Sequence, residues 1–363
     1  MLRKCLKYFR LVYKKPLLLL RIIDNYFKIY ILRMDVLRKV DICLTLRCPC
    51  SCDKCSSAKM YNSSRRELNP SEIGEIAKQC LELGAIQFNL TGGEPLLRED
   101  ILGIIKFLQP QKVFISINTT GWPLNRELIE KLKAAGVDMI KMSLDSSVAA
   151  EHDKYRNSPG GYEKVMENLR YIKEVGGINS HISTVTIPDN IRSGKIFDIL
   201  KIAEKFNSTL ALTIPVPAGK WSDNYKILIN GEDRKVLNKL LKNHLLVTED
   251  IHASYRKVRC PAGTESMYIT CYGDIIPCSV LQISFGNIRK EKLKDVYMKM
   301  LRFQPLRESV SVCKAGEVKC FINKWLKPIS KSNLFPVEVS NHPSFSEEQN
   351  EAKESSNIQN TAF

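Results

Sequence analysis

The chain has no apolar run long enough to cross a bilayer: its strongest candidate, Leu17 to Leu20, is cut at Arg21. No A-x-A cleavage site follows that run, so a secreted disulfide scaffold is not the expected use of its twelve cysteines. Acidic side chains are scarce, 39 against 55 Lys and Arg, which leaves a formal net charge of +16. No internal repeat appears beyond a strand-helix period. What is present, 363 residues with 44% hydrophobic and 26% charged, suits an ordinary globular chain with a large core. Mini-proteins, disordered chains and polytopic membrane proteins are excluded for the bulk of it. The expected compartment is the cytoplasm, where reduced thiols are available as metal ligands.

The positive surplus is concentrated. Residues 1–39 carry eleven Lys and Arg against two Asp, whereas 340–363 carry four Glu and one Lys. Residues 1–15 read as a basic amphipathic helix, with Leu2, Cys5, Leu6, Phe9, Val12 and Tyr13 on one face. After Pro16 a second helical stretch places Leu19, Leu20, Ile23, Phe27, Tyr30 and Ile31 at helical spacing. Two readings of 1–39 stand: a helical extension packed on the main body, or a peripheral contact with the inner face of the membrane.

From Val40 to Pro217 strand and helix alternate six times, the signature of parallel βα units. Strands are expected at 40–46, 85–90, 112–119, 138–144, 180–187 and 208–216. Asn69-Pro70-Ser71-Glu72 supplies an N-cap, an N1 proline and a capping-box glutamate for the first intervening helix. The fold class is α/β, a partial (β/α)6 barrel of the TIM type, in which chemistry sits at the C-terminal strand ends. Residues 218–259 read as linker and helix, 260–326 as a small α+β extension, and 340–363 as a disordered tail.

The first strand runs into CPCSCDKC, where Cys48, Cys52 and Cys55 are spaced C-x3-C-x2-C with Cys50 between them. Three thiolates on one short loop can hold three corners of a cubane iron-sulfur cluster, leaving the fourth iron for a non-protein ligand. Cys50 lies too close to Cys48 and Cys52 to complete an easy zinc tetrahedron. The second strand ends in Thr91-Gly92-Gly93-Glu94-Pro95, where two glycines permit close backbone approach and a carboxylate can pair with an ammonium group.

Together the two motifs resemble the radical S-adenosylmethionine (radical SAM) superfamily over residues 40–217. Ser143-Leu144-Asp145-Ser146, followed by His152, Asp153 and Arg156, looks like another stretch common there. The resemblance implies a [4Fe-4S] cluster on Cys48, Cys52 and Cys55. S-adenosyl-L-methionine would be bound by Gly92, Gly93 and Glu94, with Ser143 and Arg156 touching its ribose or carboxylate; Ser143 fits that role better than Asn118. It also implies reductive cleavage to a 5′-deoxyadenosyl radical, which abstracts hydrogen from the substrate, and an external one-electron donor such as a flavodoxin or ferredoxin. Lys54 departs from the family pattern, where an aromatic or apolar residue helps cover the adenine. Asp145 and His152 otherwise read as a helix cap and a surface residue.

Cys260, twelve residues, Gly273, four residues and Cys278 are similar to the opening of SPASM and Twitch extensions. The resemblance implies an auxiliary [4Fe-4S] cluster on Cys260, Cys278, Cys313 and Cys320, with Cys271 spare; the same spacing also permits a four-cysteine zinc site. Cys5, Cys43 and Cys80 read as small buried side chains. The substrate is expected to be a peptide or a membrane-linked lipid precursor. A zinc protein binding nucleic acid and a membrane scaffold without catalysis are the competing classes. No nucleic acid is expected, because the basic surplus lies away from the cysteine modules.

Overall fold

The computed structural model describes residues 15–249 and 260–345. The basic helix expected over 1–15 falls outside it except for Lys15, as do residues 346–363 of the expected tail. Six strands, β1 (Lys39–Thr45), β2 (Gln87–Gly92), β3 (Phe114–Thr119), β4 (Met139–Ser143), β5 (Asn179–Val185) and β6 (Thr209–Thr213), pair in parallel in that order. Helices follow the strands, as the right-handed βαβ connection requires. The first of them, Pro70–Glu82, starts at the expected cap: Asn69 accepts from the Glu72 N–H while the Glu72 carboxylate accepts from the Asn69 N–H, both at 2.9 Å.

Strand alternation divides the sheet into two faces. Ile117, Ile140, Met142, Ile182 and Leu210 are fully or almost fully buried beneath the helices. The alternate positions Asn118, Lys141, Ser143, His181 and Ser183 are only half-buried. They line the open inner face of a partial barrel.

The sheet is longer than the βα period predicts. β7 (Val247–Glu249) adds in parallel beyond β6, so part of the expected linker is sheet. At the other edge β8 (Ser266–Ile269) pairs in parallel with β1, and β9 (Asp274–Ile276) folds back antiparallel on it as a hairpin. β10 (Ile283–Ser284) pairs with β12 (Val337–Glu338), while β11 (Gly286–Asn287) continues the main sheet beside β9. The C-terminal extension is therefore continuous with the barrel. Arg65 clamps it with a two-pronged ion pair to Asp274 (2.7 and 2.9 Å), and Leu68 N donates to Cys271 O at 2.7 Å.

The helix Pro16–Tyr30 packs on the body through Leu18, Asn25 and Ile29, which are buried. The apolar side chains expected at helical spacing, Leu19, Leu20, Ile23, Phe27, Tyr30 and Ile31, are exposed.

Candidate active site at the C-terminal strand ends

The cysteine loop leaves the end of β1, and the backbone of the next βα unit holds its root. Gly93 N donates to Thr45 O and Glu94 N to Arg47 O, both at 2.8 Å. A Cβ on Gly92, whose φ is +145°, would stand 2.1 Å from Thr45 O, and one on Gly93 2.4 Å from Arg47 O. The two glycines thus serve the approach of β2 to the cysteine loop, with glycine required at both positions. Replacing Gly93 with Ala is expected to cost about 1–3 kcal/mol, as overpacking against immovable backbone does, and to lower iron occupancy by shifting the loop. Thermal unfolding and iron analysis of the variant read both effects.

Other strand-end loops close over the same segment. Lys220 Nζ donates to Ser51 O (2.7 Å) and its N–H to Cys55 O (3.1 Å), and Gly219 lies so near that a Cβ would meet Cys55 O at 2.2 Å. From the other side Asn157 Nδ2 reaches Ser51 Oγ (2.7 Å), and Tyr155 O accepts from Asp53 N (3.3 Å). No cysteine among the described residues is in a disulfide. Cys50 is hydrogen-bonded to Cys48, which holds the Cys48 thiol below its usual range. A hydrogen bond with Cys50, reinforced by burial, pushes Cys52 well up. Burial pushes Cys55 up. A close set of thiols on one loop, with Arg156 Nη1 3.9 Å from Cys52 Sγ, fits the donor set of an anionic thiolate cluster.

Glu94 is fully buried, and burial drives its carboxyl above the ordinary range. It is nevertheless satisfied: Thr119 Oγ1 (2.9 Å), Thr120 N and Oγ1 (both 2.6 Å) and Leu96 N (3.1 Å) all donate to it. The threonines of the β3 turn are thus the partners that position this carboxylate, a role the sequence left open. Asn118 Nδ2 makes a long contact with Thr91 Oγ1 (3.4 Å), and its Oδ1 is buried with no hydrogen-bond partner. Ser143 stands half-buried at the end of β4, on the inner face of the barrel.

Two expectations need correction. His152 is buried, and its Nδ1 accepts the Asp145 N–H at 3.2 Å; burial, with Arg156 nearby, pulls its pKa down to about 4, so it is a neutral support for the β4 turn. Asp145 caps no helix. Its carboxylate bridges Lys54 Nζ and Arg156 Nε, the latter at 2.8 Å. Burial works against the Asp145 charge, but the two cations override it and hold the carboxyl well below the usual range. Lys54, pulled down in pKa by burial, also lies 5.7 Å from the Tyr155 ring centre. Beside this cluster a small cleft is walled by Tyr155, Val185, Ile187 and Trp221. Tyr155 and Trp221 are the aromatic side chains of that wall.

In the extension, Cys278 follows β9, and Cys313 precedes the short helix Lys314–Glu317. Burial pushes the Cys278 thiol up to about 12, with Cys260 adding to the shift, and Cys313 is raised by burial and by both of those thiols. Cys260, Cys278 and Cys313 are thus brought together, whereas Cys320 is exposed on the helix Lys319–Phe321. Cys271 is buried against Cys43, and Cys80 is fully buried. Among the described residues no three His, Cys, Asp or Glu side chains converge on a point that one metal ion could occupy. Cluster ligands, spread over separate irons, need no such point.

Residues 42–198 match the Radical SAM superfamily model. The chain carries a radical SAM domain and is an enzyme of that type. Residues 260–320 match the SPASM iron-sulfur cluster-binding domain, so the chain is a SPASM-bearing enzyme that uses S-adenosylmethionine and iron-sulfur clusters. It is 25% identical over 295 residues to the AdoMet-dependent heme synthase of Nitratidesulfovibrio vulgaris, covering 73% of this chain and 79% of that one. It is 24% identical over 281 residues to the PqqA peptide cyclase of Rhizobium meliloti, covering 73% and 74%. Its fold is similar to that of Streptococcus suis SuiB bound to precursor peptide SuiA, with a TM-score of 0.59 at 17% identity, covering 73% of this chain and 65% of SuiB.

Proposed function

We propose that Cys48, Cys52 and Cys55 hold the [4Fe-4S] cluster at which S-adenosylmethionine is reductively cleaved, and that the enzyme abstracts hydrogen from a peptide or a membrane-linked precursor. The observation that carries this reading is the placement of three thiols on one loop, backed by Arg156 and rooted on the glycines that precede Glu94. When bound, cluster and cofactor supply the one-electron chemistry. The chain's own side chains position and shield. Glu94, fixed by Thr119 and Thr120, receives the cofactor ammonium; Ser143 and Arg156 orient its polar groups; Tyr155 and Trp221 wall the cleft and exclude water. The auxiliary cluster rests on Cys260, Cys278 and Cys313, with Cys320 the fourth thiolate expected from sequence.

The names of two relatives, a peptide cyclase and an enzyme solved with its precursor peptide, support a peptide substrate. A flavodoxin or ferredoxin serves as electron donor. The enzyme is read as cytoplasmic with a peripheral membrane contact; no described helix is long and apolar enough to cross a membrane. Exchanging Glu94 for Gln keeps its volume but removes the charge that pairs with the ammonium. The variant should need at least about tenfold more S-adenosylmethionine for half-saturation, the worth of a charge-assisted hydrogen bond, at wild-type iron content. Isothermal titration and iron analysis check this; loss of iron in the variant would make Glu94 structural. Metabolite and peptide profiling of a deletion strain tests the substrate class.

A further inference from the structure

The helix Pro16–Tyr30 is held against the body by Leu18 and Ile29 and by two polar side chains between them. Arg21 Nη2 donates to Leu81 O (2.6 Å) and Ala85 O (3.1 Å), and Asn25 Nδ2 donates to Gly84 O (2.8 Å). Asn25 is 1% exposed. Just before the helix, Lys15 Nζ is buried against Val113 O (3.0 Å), Gly136 O and Asp138. These bonds fix the helix rotation. On the opposite side Leu20 (62% exposed), Ile23 (55%), Phe27 (51%) and Ile31 (66%) stand in a row at helical spacing, flanked by Leu19, Tyr26 and Tyr30. A helix recruited only to cover the barrel would present these side chains to it. Spending buried hydrogen bonds to turn them outward leaves a contiguous apolar surface, which marks a contact site.

The charge of the sequence that leads into the helix selects the occupant of that surface. Residues 1–14, which lead directly into the helix, contain Arg3, Lys4, Lys7, Arg10 and Lys14 and no acidic residue. Arg33 follows the helix, and Lys28 pairs with Asp24 along it. An exposed apolar helix face joined in sequence to a cationic run matches an anionic bilayer, whose headgroups attract the cations while the acyl boundary takes the apolar face. A second copy of this chain would bring the same cations against themselves.

We propose that the outward face of the helix Pro16–Tyr30 docks this enzyme reversibly on an anionic lipid surface. The inference deepens the membrane-linked arm of the proposed function and names what covers this face. The protein would lie on the bilayer without crossing it, and its attachment would weaken as salt screens the cations.

Co-sedimentation of the full-length, cluster-loaded protein with vesicles of phosphatidylcholine alone, and of phosphatidylcholine with phosphatidylglycerol, tests this. The wild type should bind the anionic vesicles at least about tenfold more tightly than the neutral ones, and lose binding at high salt. A Leu20→Ser, Phe27→Ser, Ile31→Ser triple variant, altered only at exposed positions, should lose the binding while retaining wild-type release of 5′-deoxyadenosine. Binding equal to wild type in the triple variant would overturn the proposal. Absence of vesicle binding would also overturn it. In that case, dimers in wild type but not in the variant assign the face to a second copy, and binding gained on deleting residues 1–14 assigns it to that segment. Deoxyadenosine release is scored separately, so failure of the docking surface and failure of the radical SAM reading are distinguishable.

Discussion

Cys52→Ala, Cys48→Ala or Cys55→Ala should each abolish 5′-deoxyadenosine formation and reduce iron by about four atoms per chain, while Cys50→Ala should leave both near wild type. The contrast is demanding because Cys50 is hydrogen-bonded to both Cys48 and Cys52, its neighbours two residues away on either side. Its thiol has a further neighbour, however: Ser158 Oγ at 3.4 Å, on the segment that leads into the helix Gly161–Val175. The two-residue steps from Cys50 to Cys48 and Cys52 crowd any geometry in which all three ligate separate irons. Anaerobic reconstitution, iron and sulfide analysis and product assay of the four variants decide it. Cleavage surviving in Cys52→Ala, or lost in Cys50→Ala at equal folding, would reassign the ligand set.

The second large effect concerns stability. Asp145→Asn removes the anion that neutralises Lys54 and Arg156, whose side chains are 12% exposed or less, and leaves two cations facing each other out of water. Removing one partner of a buried ion pair typically costs about 3–5 kcal/mol. Adding Lys54→Met should restore part of this, so the double variant is expected to be more stable than Asp145→Asn alone. Because the folded-state carboxyl is held below its unfolded value, its stabilisation is present above pH ~4 and is lost as the pH falls through the folded pKa. Urea unfolding at neutral and acid pH reads all three effects. An Asp145→Asn variant within about 1 kcal/mol of wild type would contradict the assigned role, since a surface pair is worth no more than that.

The features legible in the sequence are those set by local pattern. Alternating apolar runs and the Asn69 cap placed the strands and the first barrel helix, because period and capping are properties of adjacent residues. The cysteine spacing and Gly92-Gly93-Glu94 were legible because they sit at successive strand ends. Other features depend on contacts between distant segments. Pairing of β1 with β8, which fuses the extension to the barrel, has no local signal. Nor does the burial of His152 under the β4 turn, or the Thr119 and Thr120 donors to Glu94, which arrive from a different strand. The helix Pro16–Tyr30 shows the limit most clearly. Periodicity identified its apolar face, but only the bonds of Arg21 and Asn25 to the body fix which way that face points.

The most direct test of the central claim is to incubate the anaerobically reconstituted full-length protein with S-adenosylmethionine and dithionite, and to quantify 5′-deoxyadenosine and methionine. Reductant-dependent release of the two in equal amounts, from protein carrying an iron-sulfur absorption band, is the expected result. Reconstituted protein that holds its iron and sulfide yet releases neither product would contradict it.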